Sequence, residues 1–108
     1  MSDRELLELA AKAAGYVIEL DMNWGTGGMP FFRMSGNKWN PLTDDGDALR
    51  LAAKLHMTVR CYMGNTCAQI GVPGQPNAYV DETNHADPLA ATRRAIVRAA
   101  AEIGKATP

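Results

Sequence analysis

Three stretches of the chain repeat their apolar residues at the spacing of an amphipathic helix. The first follows Ser2 and Glu5, a capping-box pair three residues apart, and Gly15 supplies its stop. The middle stretch begins with Thr43 or Asp44 as its N-cap. The apolar residues at helical spacing are Leu6, Leu9, Ala10 and Ala13 in the first stretch and Ala48, Leu51, Ala52 and Leu55 in the middle one.

The third helical stretch lies near the end of the chain. Asp87 as N-cap and Pro88 in the first turn predict where it begins, and Gly104 marks its end. Its predicted core-facing stripe consists of Leu89, Thr92, Ile96, Ala99, Ala100 and Ile103. The pattern therefore predicts helices at the beginning, middle and end of the chain.

Shorter stretches rich in β-formers lie between these helices. Residues 16–22 and 29–34 flank a glycine-rich turn at 23–28 and predict a hairpin. Because proline cannot donate to a central ladder, Pro30 either begins the second strand or lies at an edge. Residues 36–42 are predicted as a loop.

A second hairpin is predicted around the turn residues Gly64 and Asn65, with arms at 58–63 and 66–72. Residues 78–82 follow as a fifth strand. The predicted order of elements is α-β-β-α-β-β-β-α. This order indicates an α+β fold with a mostly antiparallel sheet of about five strands.

Composition and charge exclude several classes of protein. The 108 residues have room for one compact domain, so we predict a single domain over 1–108. The net charge of −1 disfavours binding to nucleic acid or to an anionic membrane. No apolar run reaches about 18 residues, and residues 1–4 lack the pattern of a secretory signal. We therefore expect a cytoplasmic protein that does not contact a membrane.

Two segments resemble a known family. Residues 38–55 read KWNPLTDDGDALRLAAKL, and residues 87–105 read DPLAATRRAIVRAAAEIGK. Both look like the small proteins of the phage ABA sandwich domain family, in which tryptophan, Asn-Pro-Leu and an acidic stretch precede the middle helix. The resemblance implies an α/β/α sandwich and a phage or prophage origin. It implies no activity, and no catalytic residue is carried over from it.

Acidic residues crowd the start of the middle helix. Asp44, Asp45 and Asp47 suit the positive end of the helix dipole, so we favour capping over a metal or catalytic role. Arg93 lies at the border of the apolar stripe on the last helix. We hypothesise that Arg93 forms an ion pair with Asp45 or Asp47. The functional alternative is an anion site made by Arg93 and Arg94.

Two tryptophans and an asparagine complete the candidate binding residues. Trp39 is either a ligand platform or a lid over the core, and the size of its ring favours packing. Asn40 precedes Pro41 and is expected to fasten the loop by hydrogen bonds. Trp24, in the glycine-rich turn, is predicted to be an exposed interaction point.

The cysteines and histidines give no recognisable catalytic or metal motif. Cys61 and Cys67 lie on opposite arms of the second hairpin, and only a three-residue turn would place them opposite each other. Because a cytoplasmic setting disfavours oxidation, we expect free thiols. His56 and His85 do not complete a zinc spacing with them. We therefore expect no metal and no cofactor.

The sequence favours a non-enzymatic binding or regulatory protein of a phage, acting on a host or phage protein and with a homodimer as one option. The alternative is a small-molecule-binding protein or small enzyme that uses the acidic helix start with Arg93 or His85. A real pocket where those side chains converge would favour that alternative.

Overall fold

The computed structural model describes residues 2–21, 31–71, 77–83 and 86–107. Within them the chain forms three helices and six strands, so the predicted α+β class is confirmed. In chain order these are α1 (Asp3–Ala14), β1 (Glu19–Asp21), β2 (Phe31–Met34), β3 (Asn37–Trp39), α2 (Asp45–Lys54), β4 (Thr58–Cys61), β5 (Asn65–Ile70), β6 (Ala78–Thr83) and α3 (Pro88–Ala106). No helix in this described part is long and apolar enough to cross a membrane.

The described strands form two antiparallel sheets of three, in the orders β1-β2-β3 and β4-β5-β6. The predicted antiparallel pairing is confirmed, but the described strands form two sheets rather than one and number six rather than about five. The additional strand is β3, which lies where a loop was predicted. Ser35 and Gly36 both have positive φ angles, 53° and 84°, and join the paired residues Met34 and Asn37 in a two-residue hairpin turn.

The predicted helix boundaries are largely confirmed because they depend on local capping. The Ser2 side chain accepts a hydrogen bond from the backbone N–H of Glu5, and Gly15 ends α1 in the left-handed conformation. Asp44, rather than Thr43, is the N-cap of α2. Asp87 caps α3, and Pro88 is its first residue.

Helix α3 lies at the centre of the described structure. Ala95, Ala99 and Ile103 pack against apolar residues of β5 and β6. Other faces of the helix contact α1 and α2, and the first sheet joins the same core through Phe32 and Trp39. Buried residues of α3 therefore occur on several faces rather than along the one predicted stripe.

Two residues of α3 differ from their predicted roles. Leu89 was placed in the core, but its side chain is 61% exposed. Gly104 was predicted to end the helix, but the helix continues to Ala106 and Gly104 is buried. A Cβ atom at position 104 would collide with the carbonyl oxygen of Leu9. Glycine at 104 therefore allows α1 and α3 to approach closely.

The turn of the second hairpin sets the positions of the cysteines. The backbone N–H of Tyr62 donates to the carbonyl of Asn65, so the turn residues are 63 and 64 rather than 64 and 65. In this register Cys61 pairs with Thr66. Cys61 and Cys67 consequently lie on opposite faces of the sheet, and both thiols are free, as predicted.

Several predicted features lie outside the described residues. They are the turn at 23–28 with Trp24, the proline at position 30, residues 72–76 and His85.

Candidate functional site

Trp39 belongs to the core beneath the start of α2. It pairs with Phe32 at the end of β3 and is only 2% exposed. Its ring also packs edge-to-face on Tyr16, with the centroids 6.1 Å apart. These contacts support the packing role of Trp39 and leave its ring unavailable as a ligand platform.

Asn40 organises the turn between β3 and α2. Its side-chain oxygen accepts a hydrogen bond of 2.9 Å from the backbone N–H of Leu42. Its own backbone N–H donates to Oδ2 of Asp47 at 2.9 Å. The Asn40 side chain thus fastens the loop, as the sequence suggested.

The acidic residues at the start of α2 are engaged in hydrogen bonds that build the helix. Asp44 accepts from the backbone N–H of Asp47 at 2.8 Å. Asp47 is buried, and its Oδ1 accepts from Arg50 at 2.7 Å, which raises the pKa of Arg50 above its ordinary value. The described residues contain no group of three or more side chains that could hold a metal ion. The hydrogen bond from Asp47 to Asp44 supports the capping interpretation.

Arg93 connects α3 to the start of α2. Its Nη1 donates to Oδ1 of Asp45 at 2.6 Å, which confirms the predicted ion pair. Its Nε donates to the carbonyl of Leu42 at 2.8 Å. Arg94 turns instead to Asp3, at 3.2 Å. Because the two arginines have separate partners, they do not form the anion site considered as an alternative.

Five of the six candidate binding residues therefore meet around the start of α2, and the sixth, Trp24, lies outside the described residues. Asn40 bonds to Asp47, Asp45 forms an ion pair with Arg93, and Trp39 packs in the core. The five are Trp39, Asn40, Asp45, Asp47 and Arg93.

An apolar cleft of about 280 Å³ lies beside this cluster and was missed by the sequence analysis. It runs between α2 and α3, with β4 at one side. Leu49 and Leu89 flank it and are 69% and 61% exposed. Its lining consists of Asp45, Ala48, Leu49, Ala52, Val59, Leu89, Thr92, Arg93 and Ile96. We call this feature the α2–α3 groove.

One signal in the sequence could have indicated the groove. On a helical wheel, Leu49 lies roughly 110° from the middle of the stripe formed by Ala48, Leu51, Ala52 and Leu55. A leucine outside the core-facing stripe points to a second apolar face. Leu89 belongs to α3, and its position beside Leu49 depends on how α2 and α3 pack. Helical periodicity does not specify this packing.

The outer face of the second sheet carries a small polar network. Oδ1 of Asp81 accepts hydrogen bonds from the Tyr79 hydroxyl at 3.2 Å and from Nδ2 of Asn65 at 3.1 Å. Hydrogen bonding with Cys67, desolvation and the charge of Asp81 raise the pKa of Tyr79 to about 12. The side chains of Asn65, Tyr79 and Asp81 are therefore bonded to one another.

Comparison with family models, curated proteins and solved structures finds no match for this chain.

Proposed function

We propose that the chain is a non-enzymatic binding or regulatory protein, encoded by a phage or prophage, that acts on a host or phage protein in the bacterial cytoplasm. The α2–α3 groove is the observation that carries the binding function. The phage origin rests on the resemblance of residues 38–55 and 87–105 to the phage ABA sandwich domain family.

The groove has the properties of a protein contact surface. Leu49 and Leu89 expose most of their side chains on its two sides. Full burial of a leucine contributes about 1.5–3 kcal/mol, so covering both would supply a substantial part of a moderate binding energy. The Asp45–Arg93 ion pair at one end adds a polar rim, as interfaces commonly have.

The charged residues nearby support binding rather than catalysis. Asp45 and Arg93 both line the groove, but they are bonded to each other. The Asp47 carboxylate accepts hydrogen bonds from Asn40 and Arg50. None of these groups is left to act as a base or nucleophile without first breaking a bond that supports the fold.

A second candidate function is binding of a small apolar molecule with a polar head group near Asp45 and Arg93. The cleft favours this function, because the side chains of Asp45 and Arg93 both line it. The volume of about 280 Å³ lies just below the roughly 300–1,000 Å³ of typical small-molecule sites. The cleft is also open along the exposed leucines, so a protein partner fits it better.

Site-specific photo-crosslinking tests the proposed function. A benzophenone amino acid replaces Leu49 or Leu89 in the full chain, expressed in the bacterium that carries the gene. The control places it at Lys12, an exposed residue of α1. We expect the two groove positions to crosslink to the same protein, and Lys12 not to do so. Absence of an adduct at both leucines, or the same adducts at Lys12, would contradict the proposal.

A further inference from the structure

The outer edge of β4 borders the α2–α3 groove. Among the described strands, β4 is at the end of its sheet and pairs only with β5. The Tyr62 N–H donates to the Asn65 carbonyl, and hydrogen-bonded pairs alternate along an antiparallel ladder. Arg60 therefore bonds to its partner Cys67, whereas the backbone groups of Val59 and Cys61 point away from β5. Within the described residues, no other backbone group bonds to them.

The side chains of β4 divide between the two faces of the sheet. Val59 lines the groove, and Sγ of Cys61 lies 3.7 Å from Oγ1 of Thr92, another groove residue. Arg60 lies on the opposite face and is exposed. Among the arginines in the described part of the chain, Arg60 alone forms no ion pair.

We propose that β4 binds an extended segment of the partner protein as a fourth antiparallel strand of the second sheet. In this arrangement the segment bonds to the backbone of Val59 and Cys61. A carboxylate of the segment lies opposite Arg60, and the apolar residues on either side of it enter the groove. The inference rests on the proposed function, because it describes how the protein partner occupies the same surface.

The charge on Arg60 decides between a foreign segment and a second copy of this chain. Within the bounds of β4, an antiparallel second copy bonds both residues only when Val59 of each copy lies opposite Cys61 of the other. That register places the two Arg60 side chains directly opposite each other, and like charges at such positions are destabilising. An acidic segment replaces this repulsion with attraction.

Selection from a random nonapeptide display library tests the inference with the full chain as bait. We expect enriched peptides to carry Asp or Glu between two apolar residues. Arg60→Glu should weaken their binding at least tenfold, while Lys12→Glu, a charge reversal on an exposed helix residue, leaves it unchanged. Enriched peptides without an acidic residue, or equal binding to both variants, would overturn the inference. Thermal melting of both variants confirms that they are folded.

Amide hydrogen exchange measured by NMR provides a second readout. On peptide binding we expect the amides of Val59 and Cys61 to become protected. If the protein crosslinked at Leu89 binds without protecting them and binds equally to Arg60→Glu, strand addition is wrong although the proposed function stands. If its binding is also unaffected by Leu49→Gln and Leu89→Gln, the proposed function fails as well. A dimer of the chain that protects the same amides would overturn our choice of occupant.

Discussion

At the scale of single residues, the side chains that look most like a functional site contribute to the fold. Asp47 accepts hydrogen bonds from Asn40 and Arg50, and Arg93 joins Asp45 to the carbonyl of Leu42. The Asp45–Arg93 pair could be predicted from sequence, because a border position on an apolar helix directs a long cation towards a neighbouring element. The hydrogen bond from Asn40 to Asp47 could not, since it depends on how the turn between β3 and α2 folds.

Asp47→Ala should lower the free energy of unfolding by about 1–3 kcal/mol, because it leaves the part-buried backbone N–H of Asn40 without its acceptor. Urea denaturation measures the change. Glu102→Ala is the control, since its pair with Lys105 is exposed and should contribute less than about 1 kcal/mol. Equal losses in the two variants would show that Asp47 has no special structural role.

Tyr79 should ionise at about pH 12 in an ultraviolet absorbance titration of the folded protein. An unperturbed tyrosine has a pKa of about 10, so the folded state binds more protons between these values. The stability that Tyr79 contributes is therefore complete below about pH 10 and is lost as the pH rises towards 12.

Two variants provide the controls for Tyr79. In Tyr79→Phe the highest titration step should disappear, and in Asp81→Asn it should move to lower pH because a nearby negative charge is removed. A titration of the native protein that is identical to that of Tyr79→Phe, apart from its amplitude, would contradict this assignment.

At the scale of elements, the helices follow from local sequence and the sheets do not. Ser2, Asp44 and Asp87 cap their helices through bonds to residues three positions away, so a short window of sequence is enough. The division of the strands into two sheets depends on which element covers each face. The Ser35–Gly36 turn shows the same limit, because its dipeptide is also common in ordinary loops.

Gly104→Ala should destabilise the protein by about 1–3 kcal/mol or more, because the added methyl group would collide with the backbone of Leu9 and push α1 away from α3. Thermal and urea unfolding measure the loss. Gly46→Ala is the matched control within α2. Its added Cβ would have the flexible side chains of Arg50 and Asp44 as nearest neighbours, at 3.2 Å, and alanine favours the helix more than glycine does.

The two alanine variants should therefore differ clearly. A loss at Gly104 no larger than that at Gly46 would show that α1 and α3 do not approach as closely as described. The small effect expected at Gly46 also excludes a general intolerance of the helices to alanine.

At the scale of the whole molecule, α3 connects the described parts of the fold, and the α2–α3 groove is left at its surface. The α+β class could be predicted because hydrophobic periodicity separates helical from extended segments. The groove could not, because the exposure of Leu89 depends on the angle at which two helices meet. The same pattern of apolar residues along the chain is compatible with a buried contact between two helices and with an open groove.

The central claim is that the charged cluster maintains the fold while the groove binds the partner. Two double variants test it most directly, with unfolding by urea and calorimetric binding of the protein crosslinked at Leu89. Leu49→Gln with Leu89→Gln should change stability by less than about 1 kcal/mol, because both leucines are exposed, and should abolish binding. Asn40→Ala with Asp47→Ala, two residues of the cluster that do not line the groove, should lower stability by about 1–3 kcal/mol and retain binding while folded. The reverse pattern would contradict the account.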